Sequence, residues 1–224
     1  ALDKALGITQ YVGDMQMPAM LHARIRWSGV PHAIIRGIDT SEAVKVPGVR
    51  AVLTAGDIPG INRYGLAVQD QRVLADDKVR TAADPVALVA ADTEQAAEEA
   101  ITKIKLDLEP LRPILSIEDA LDPTAPSIHE SGNLFTRTTV RKGDLDQGVK
   151  ESDVIVEETY RTHLMDHMAM ETESSLAYMD PTGVLTIITS TQYPYRDRRQ
   201  IAPALNLSMN KVRVVQAPIG GGFG

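Results

Sequence analysis

The residue types that could do chemistry gather at a few places, and the densest is Gly220, Gly221, Gly222, Phe223 and Gly224. Without Cβ atoms, such a run lets a ligand approach main-chain N–H groups and makes φ > 0 cheap. Successive N–H groups in a turn of this kind can form an anion-binding nest. A plain strand-ending turn or a flexible tail is the alternative, and glycine content alone favours it. Phe223, one of only 2 Phe in the chain, shifts the balance, because a solvated linker would not need it. Ser190-Thr191-Gln192 ends a strand-like run, and a Gln there can both donate and accept hydrogen bonds. His163 and His167, spaced i, i+4 with Asp166 and Glu171 nearby, would share a metal if the segment were helical. Their setting among Met165, Met168 and Met170 favours polar residues of a core or loop instead. Glu171-Thr172-Glu173 can supply an acid–base carboxylate. A buried Glu that hydrogen-bonds backbone amides is the equal alternative, and the two carboxylates are not read as a pair. His22, His32 and His129 stand alone and read as structural or exposed.

Several classes lose support at once. There is no GxSxG, no GxxxxGK[ST] and no GxGxxG, which argues against a serine hydrolase, a P-loop NTPase and a Rossmann dehydrogenase. With 0 Cys there is neither a disulfide nor a Cys-ligated cluster. The net charge of −7, with both signs interspersed, argues against a nucleic-acid partner. No run approaches the length of a membrane-spanning helix, and no signal peptide is visible, so a cytoplasmic protein is expected. The hydrophobic content of 43% is enough for a packed core, and 224 residues suggest one large or two modest domains. Starting without Met and stopping within the glycine motif, the chain reads as cut: a fragment of a longer subunit or one half of a naturally split one.

Elements that would position these residues can be read from periodicity. Strands are expected at Met20–Trp27, Ala33–Ile38 and Val49–Leu53, with a short helix from Thr40 or Ser41 ended by Pro47-Gly48. Residues 60–72 read as a surface loop, and a turn at Asp76-Asp77 precedes Lys78-Val79. Pro85–Ala91 is an apolar run that reads as a central strand. A helix follows, capped by Asp92 or Thr93 and carrying Ala96, Ala97, Ala100, Ile101 and Ile104 at helical spacing. Ile104–Leu108 is the next strand, so this passage resembles one α/β layer unit. Ser116–Leu121 is a short helix. Beyond it, strands are expected at Thr136–Val140, Val154–Tyr160, Ser175–Met179 and Val184–Ser190, the last two joined by a turn at Asp180-Pro181-Thr182-Gly183. Tyr195–Leu207 reads as a helix that kinks or ends at Pro203. Val212–Ile219 reads as a buried strand leading into the glycines.

Several stretches, taken in order, resemble one family. They are Met20-Leu21-His22-Ala23, Ile38–Ala43 with Val46–Val49, Val86–Thr93, Ile117–Ala120, Lys142-Gly143-Asp144, His167–Glu171, Ser190-Thr191-Gln192 and Gly220–Gly224. Their order and spacing are similar to the large, molybdopterin-binding subunit of the xanthine dehydrogenase and aldehyde oxidoreductase family. The resemblance implies an α+β chain: an α/β-hammerhead domain at residues 1–121, a linker at 122–134, and the first part of a molybdopterin-binding mixed α/β domain at 135–224. It implies molybdenum–molybdopterin as cofactor, held through the pterin's dithiolene sulfurs with no protein side chain on the metal. Gly221, Gly222, Phe223 and Gly224 would contact the cofactor through backbone amides, and Gln192 would orient the metal's oxo group. The family's catalytic Glu lies far downstream of the glycine loop, so no catalytic residue is assigned here and the chain alone is expected to be inactive.

The activity implied is hydroxylation of an N-heterocycle or aldehyde with water-derived oxygen. Electrons would leave through [2Fe-2S] clusters to FAD on partner subunits or domains, in an oligomeric complex that includes the rest of the molybdopterin subunit. The sequence departs from the family at Met165, where a Gln is usual, and at Ala83-Asp84, where a glycine usually precedes Pro85. These departures lend weight to a second class, a non-catalytic interaction or scaffold domain. A third reading, phosphate or nucleotide binding by the glycine loop alone, is weaker. The leading reading requires Gln192 and Phe223 to share one surface.

Overall fold

The computed structural model describes residues 2–223. A one-turn helix, α1 (Leu2–Ala5), precedes three strands, β1 (His22–Trp27), β2 (Ala33–Asp39) and β3 (Val49–Leu53). Then come β4 (Lys78–Val79), β5 (Pro85–Ala91), α2 (Glu94–Lys103), β6 (Lys105–Pro110) and α3 (Ile117–Leu121). The remainder holds α4 (Leu145–Glu151), β7 (Ser175–Met179), β8 (Leu185–Thr189), α5 (Pro194–Ala204) and β9 (Val212–Gln216). The strands form three sheets, ordered β1-β5-β3, β4-β2-β6 and β7-β8-β9.

The apolar run of β5 is the central strand of its sheet, antiparallel to both β1 and β3. Its Val86, Ala87, Val89 and Ala91 are fully buried. Ala97 and Ala100 of α2 join Ala43, Val46 and Ile104 in the same core. Alanines on that helix face let its backbone come close to the sheet. Thr93 caps α2 by accepting from Ala96 N–H at 3.1 Å. Asp92 instead pairs with Arg50, whose Nε lies 2.7 Å from its Oδ1. β5 and β6 belong to different sheets, so β5-α2-β6 is not a single-sheet α/β unit. The helix carries the chain from one antiparallel sheet to the other.

Other expectations also change. The Thr40–Val44 segment is a 3₁₀ turn at Ala43–Lys45 without a side-chain cap. There Asp39 Oδ1 accepts from Ser41 N–H at 2.9 Å, so the aspartate orders the turn. Thr136–Val140 and Val154–Tyr160 are not strands. Their backbone has no ladder partner among the described residues, and β-propensity alone does not hold a strand. α4 is an element the periodicity does not announce. Asp144 caps it, accepting from Gln147 N–H at 3.0 Å, and Asp-x-x-Gln just ahead of an apolar residue was the available signal.

α5 starts with Pro194 in its first turn and ends at Ala204, one residue past Pro203. It connects β8 to β9, which run parallel, while β7 and β8 form the antiparallel hairpin through Asp180–Gly183. Asp180 orders that turn by accepting from Thr182 and Val184 N–H groups at 2.8 and 3.1 Å. Ile187, Ala202 and Val212 form the core beneath this sheet. Val212 is the only buried residue of β9, so the strand is half exposed rather than buried, and it ends at Gln216. Gly60 and Ile61 donate to the Ala204 and Pro203 carbonyls at 3.0 Å, joining the loop after β3 to the end of α5. Among the described residues, no helix is long and apolar enough to cross a membrane.

Candidate functional site

The parallel pairing of β8 and β9 brings their C-terminal ends to one edge of the sheet. Ligands of open parallel sheets bind at such edges, because loops leaving neighbouring strands converge there. Ala217 N–H donates to the Thr189 carbonyl at 3.0 Å, which extends the pairing one step past β9. The Ser190–Tyr193 strap is fixed by hydroxyls. Thr189 Oγ1 lies 2.7 Å from Ser175 Oγ, and Tyr193 N–H donates to Thr191 Oγ1 at 2.9 Å. Gln192 projects from this strap and is exposed.

Gly222 lies directly against Gln192. A Cβ at Gly222 would sit 2.8 Å from the Gln192 Cδ and 3.2 Å from its Oε1. A Cβ on Gly221 would meet the Phe223 ring at 2.5 Å, and one on Gly220 would meet Glu171 Cβ at 2.8 Å. Side chains therefore press on each of these glycines where a Cβ would be. None of Gly220, Gly221 and Gly222 has a positive φ. Close approach, not left-handed backbone, accounts for them, and no alternating-handed anion nest forms over these residues. Gly220 N–H donates to Glu171 Oε2. Among the described residues nothing accepts from the N–H groups of Gly221, Gly222 or Phe223. Phe223 packs its ring 5.6 Å from that of His167, centroid to centroid.

The structure thus brings together Gln192, Gly221, Gly222 and Phe223, while Gly224 lies outside the described residues. It does not put His163 and His167 on one helix face. Their segment is not helical, so i, i+4 spacing has no helical meaning there. Glu171 accepts from a backbone amide, as the alternative weighed from sequence has it, but it is half-buried rather than buried. His32 is buried, with Nδ1 2.7 Å from the Arg112 carbonyl. His167 as a ring partner of Phe223 was missed, since no local pattern links residues so far apart.

A separate cleft of about 640 Å³ begins one residue past Gln192. Tyr64, Asp70, His129, Phe135, Tyr193 and Arg196 line it, and neither Gln192 nor the glycine loop does. His129 Nδ1 sits 2.9 Å from Asp70 Oδ2 but off the line of a hydrogen bond. Burial pushes the Tyr64 phenol up from its ordinary range, helped by the charge of Asp84. Gln200 Oε1 accepts from Gly65 N–H at 3.0 Å and closes one wall.

Residues 6–112 match the family profile described as aldehyde oxidase and xanthine dehydrogenase, a/b hammerhead domain. Residues 128–224 match the one described as molybdopterin cofactor-binding domain. The chain is 41% identical to a nicotinate dehydrogenase large molybdopterin subunit of Eubacterium barkeri, over 100% of this chain and 53% of that one. It is 40% identical to a probable xanthine dehydrogenase subunit of Bacillus subtilis, over 99% of this chain and 30% of the relative. Its fold is similar to that of the aldehyde oxidoreductase of Desulfovibrio gigas, with a TM-score of 0.91 and 33% identity over 100% of this chain and 26% of the other. The chain belongs to the xanthine dehydrogenase and aldehyde oxidase family of molybdenum-containing oxidoreductases. It spans about half the length of the nicotinate dehydrogenase relative, at 53%, and less of the others.

Proposed function

We propose that this chain contributes one wall of the molybdopterin site of a molybdenum hydroxylase acting on an N-heterocycle or an aldehyde. The carrying observation is the contact of Gln192 with Gly222 where β8 and β9 end. The residues present fit the cofactor. A strip of main-chain donors without protein acceptors among the described residues lies beside a neutral carboxamide, which suits a polar, anionic group that brings its own metal ligands. Gly221, Gly222, Phe223 and Gly224 would hold the cofactor through backbone amides, and Gln192 would orient it with a hydrogen bond. When bound, the group supplies the two-electron redox chemistry of carbon hydroxylation. The chain's part is to bind, to orient and to present fixed dipoles, which need no reorganisation as charge develops.

The division into a hammerhead domain at 1–121, a linker at 122–134 and a cofactor domain from 135 belongs to this proposal. So do a cytoplasmic location, the remainder of the molybdopterin subunit as partner, and partner subunits or domains carrying [2Fe-2S] clusters and FAD. The test is metal and pterin analysis of the protein purified with its native partners. Stoichiometric molybdenum and pterin, with oxidation of compounds from an aldehyde and N-heterocycle panel, are expected. Their absence from the intact assembly would favour a scaffold role instead.

A further inference from the structure

From residue 152 to residue 173 every side chain is exposed except Glu171. That one residue is clamped onto the glycine loop: its carboxylate accepts from Gly220 N–H, and Gly220 has no room for a Cβ beside it. Four residues earlier, His167 meets Phe223 at the loop's other end. Between them the chain turns at Met168, with φ +52, and Asp166 Oδ1 accepts from Met168 N–H at 2.6 Å. This irregular segment therefore touches the loop at both ends of its glycine run.

Consecutive glycines have more backbone freedom than any other residues, so amides on them do not stay aimed unless something fixes the run. A carboxylate on a backbone N–H is a charge-assisted bond, roughly twice as strong as a neutral one. We infer that Glu171 is a positioning residue: by fixing Gly220 N–H it aims the amides of Gly221, Gly222 and Phe223 at the cofactor, with His167 steadying Phe223. This inference rests on the molybdopterin reading above, but its first test does not.

The experiment uses the full-length subunit assembled with its partners, as wild type, Glu171→Leu and Glu171→Gln. Leucine keeps the bulk and removes the acceptor, whereas glutamine keeps an acceptor oxygen. Hydrogen exchange of the 218–223 backbone reads the anchor itself. Exchange at Gly220 should speed up by about tenfold or more in the leucine variant, as expected for losing a bond to a charged group, and stay close to wild type in the glutamine one. The Mo(V) electron paramagnetic resonance signal after dithionite reduction reads the effect on the cofactor. It should shift or split in the leucine variant and superimpose on wild type in the glutamine variant. If the leucine variant loses its metal, Glu171→Asp, which withdraws the charge by one methylene, should give a shifted signal. Unchanged exchange, an unchanged signal in the leucine or aspartate variant, or a glutamine variant as impaired as the leucine one, each overturns the inference. A wild-type assembly without molybdenum, with exchange still faster in the leucine variant, overturns the molybdopterin reading and leaves the anchor standing.

Discussion

Two stretches of this chain carry apolar residues in number and meet opposite fates. In β5, Val86, Ala87, Val89 and Ala91 are all 0% exposed; β1 and β3 flank the strand, and Ala87, Val89 and Ala91 share a core with α2. In the stretch before the glycine-loop anchor, Val154 and Val156 are each 77% exposed, Leu164 101% and Met170 100%. Charge and partners both separate them: β5 has no ionisable side chain, whereas Asp153, Glu157, Glu158 and Arg161 interrupt the second stretch. A strand is a pairing, and β5 has one neighbour on each side within the chain, whereas the second stretch has none among the described residues. Residues of the proposed site lie beside this open stretch and are themselves exposed. The chain closes its own hammerhead core and leaves its chemical edge open.

The largest effect should come at that edge. Gly222→Ala drives a methyl into the Gln192 carboxamide. Turnover of the assembled enzyme should fall by about 10²-fold, the scale seen when one preorganised hydrogen-bond donor is lost, while the thermal melt stays near wild type. A melt lowered as much as that of a core variant would erase the distinction between edge and core. Next, Val89→Ala should cost about 2 kcal/mol in chemical denaturation, from lost burial and a residual cavity. Its counterpart Val156→Ala should stay within about 0.5 kcal/mol, and equal losses would contradict the contrast.

The caps sharpen the same comparison on a smaller scale. Thr93→Ala removes the cap of a helix packed on β5 and should cost about 1 kcal/mol. Asp144→Ala removes an equivalent bond from α4, which has no buried residue, and should fray that helix without shifting the main transition. Smallest is a pH effect in the β7–β8 turn. The Thr182 hydroxyl and the Val184 and Thr182 N–H groups hold the Asp180 carboxyl below its usual range. Its folded value being depressed, its contribution is present above the ordinary aspartate value of about 3.9 and is lost as pH falls through the lowered one. Asp180→Asn should therefore lower the melting temperature slightly at neutral pH and not at strongly acid pH. A deficit that persists undiminished in acid would contradict this origin.

Local chemistry was legible in the sequence. The apolar run of β5, a cap at Asp92 or Thr93, the Asp180–Gly183 turn and a helix beginning beside Pro194 each rest on a few neighbouring residues. What was not legible is what distance decides: that β5 and β6 enter different sheets, that β9 is half exposed, and that Val154–Tyr160 lacks a partner. The site shows the same split. Gln192 and the glycines were singled out through motif order. The clamp of Glu171 on Gly220, 49 residues apart, has no local signature.

In the proposed site, Gln192 and the glycine loop face a molybdenum cofactor together. The most direct test is the molybdenum content and Mo(V) resonance signal of the partner-assembled subunit, as wild type and as Gln192→Ala. Stoichiometric molybdenum in both and a displaced signal in the variant are expected. Wild-type protein devoid of molybdenum, or a variant signal that overlays the wild-type one, would contradict it.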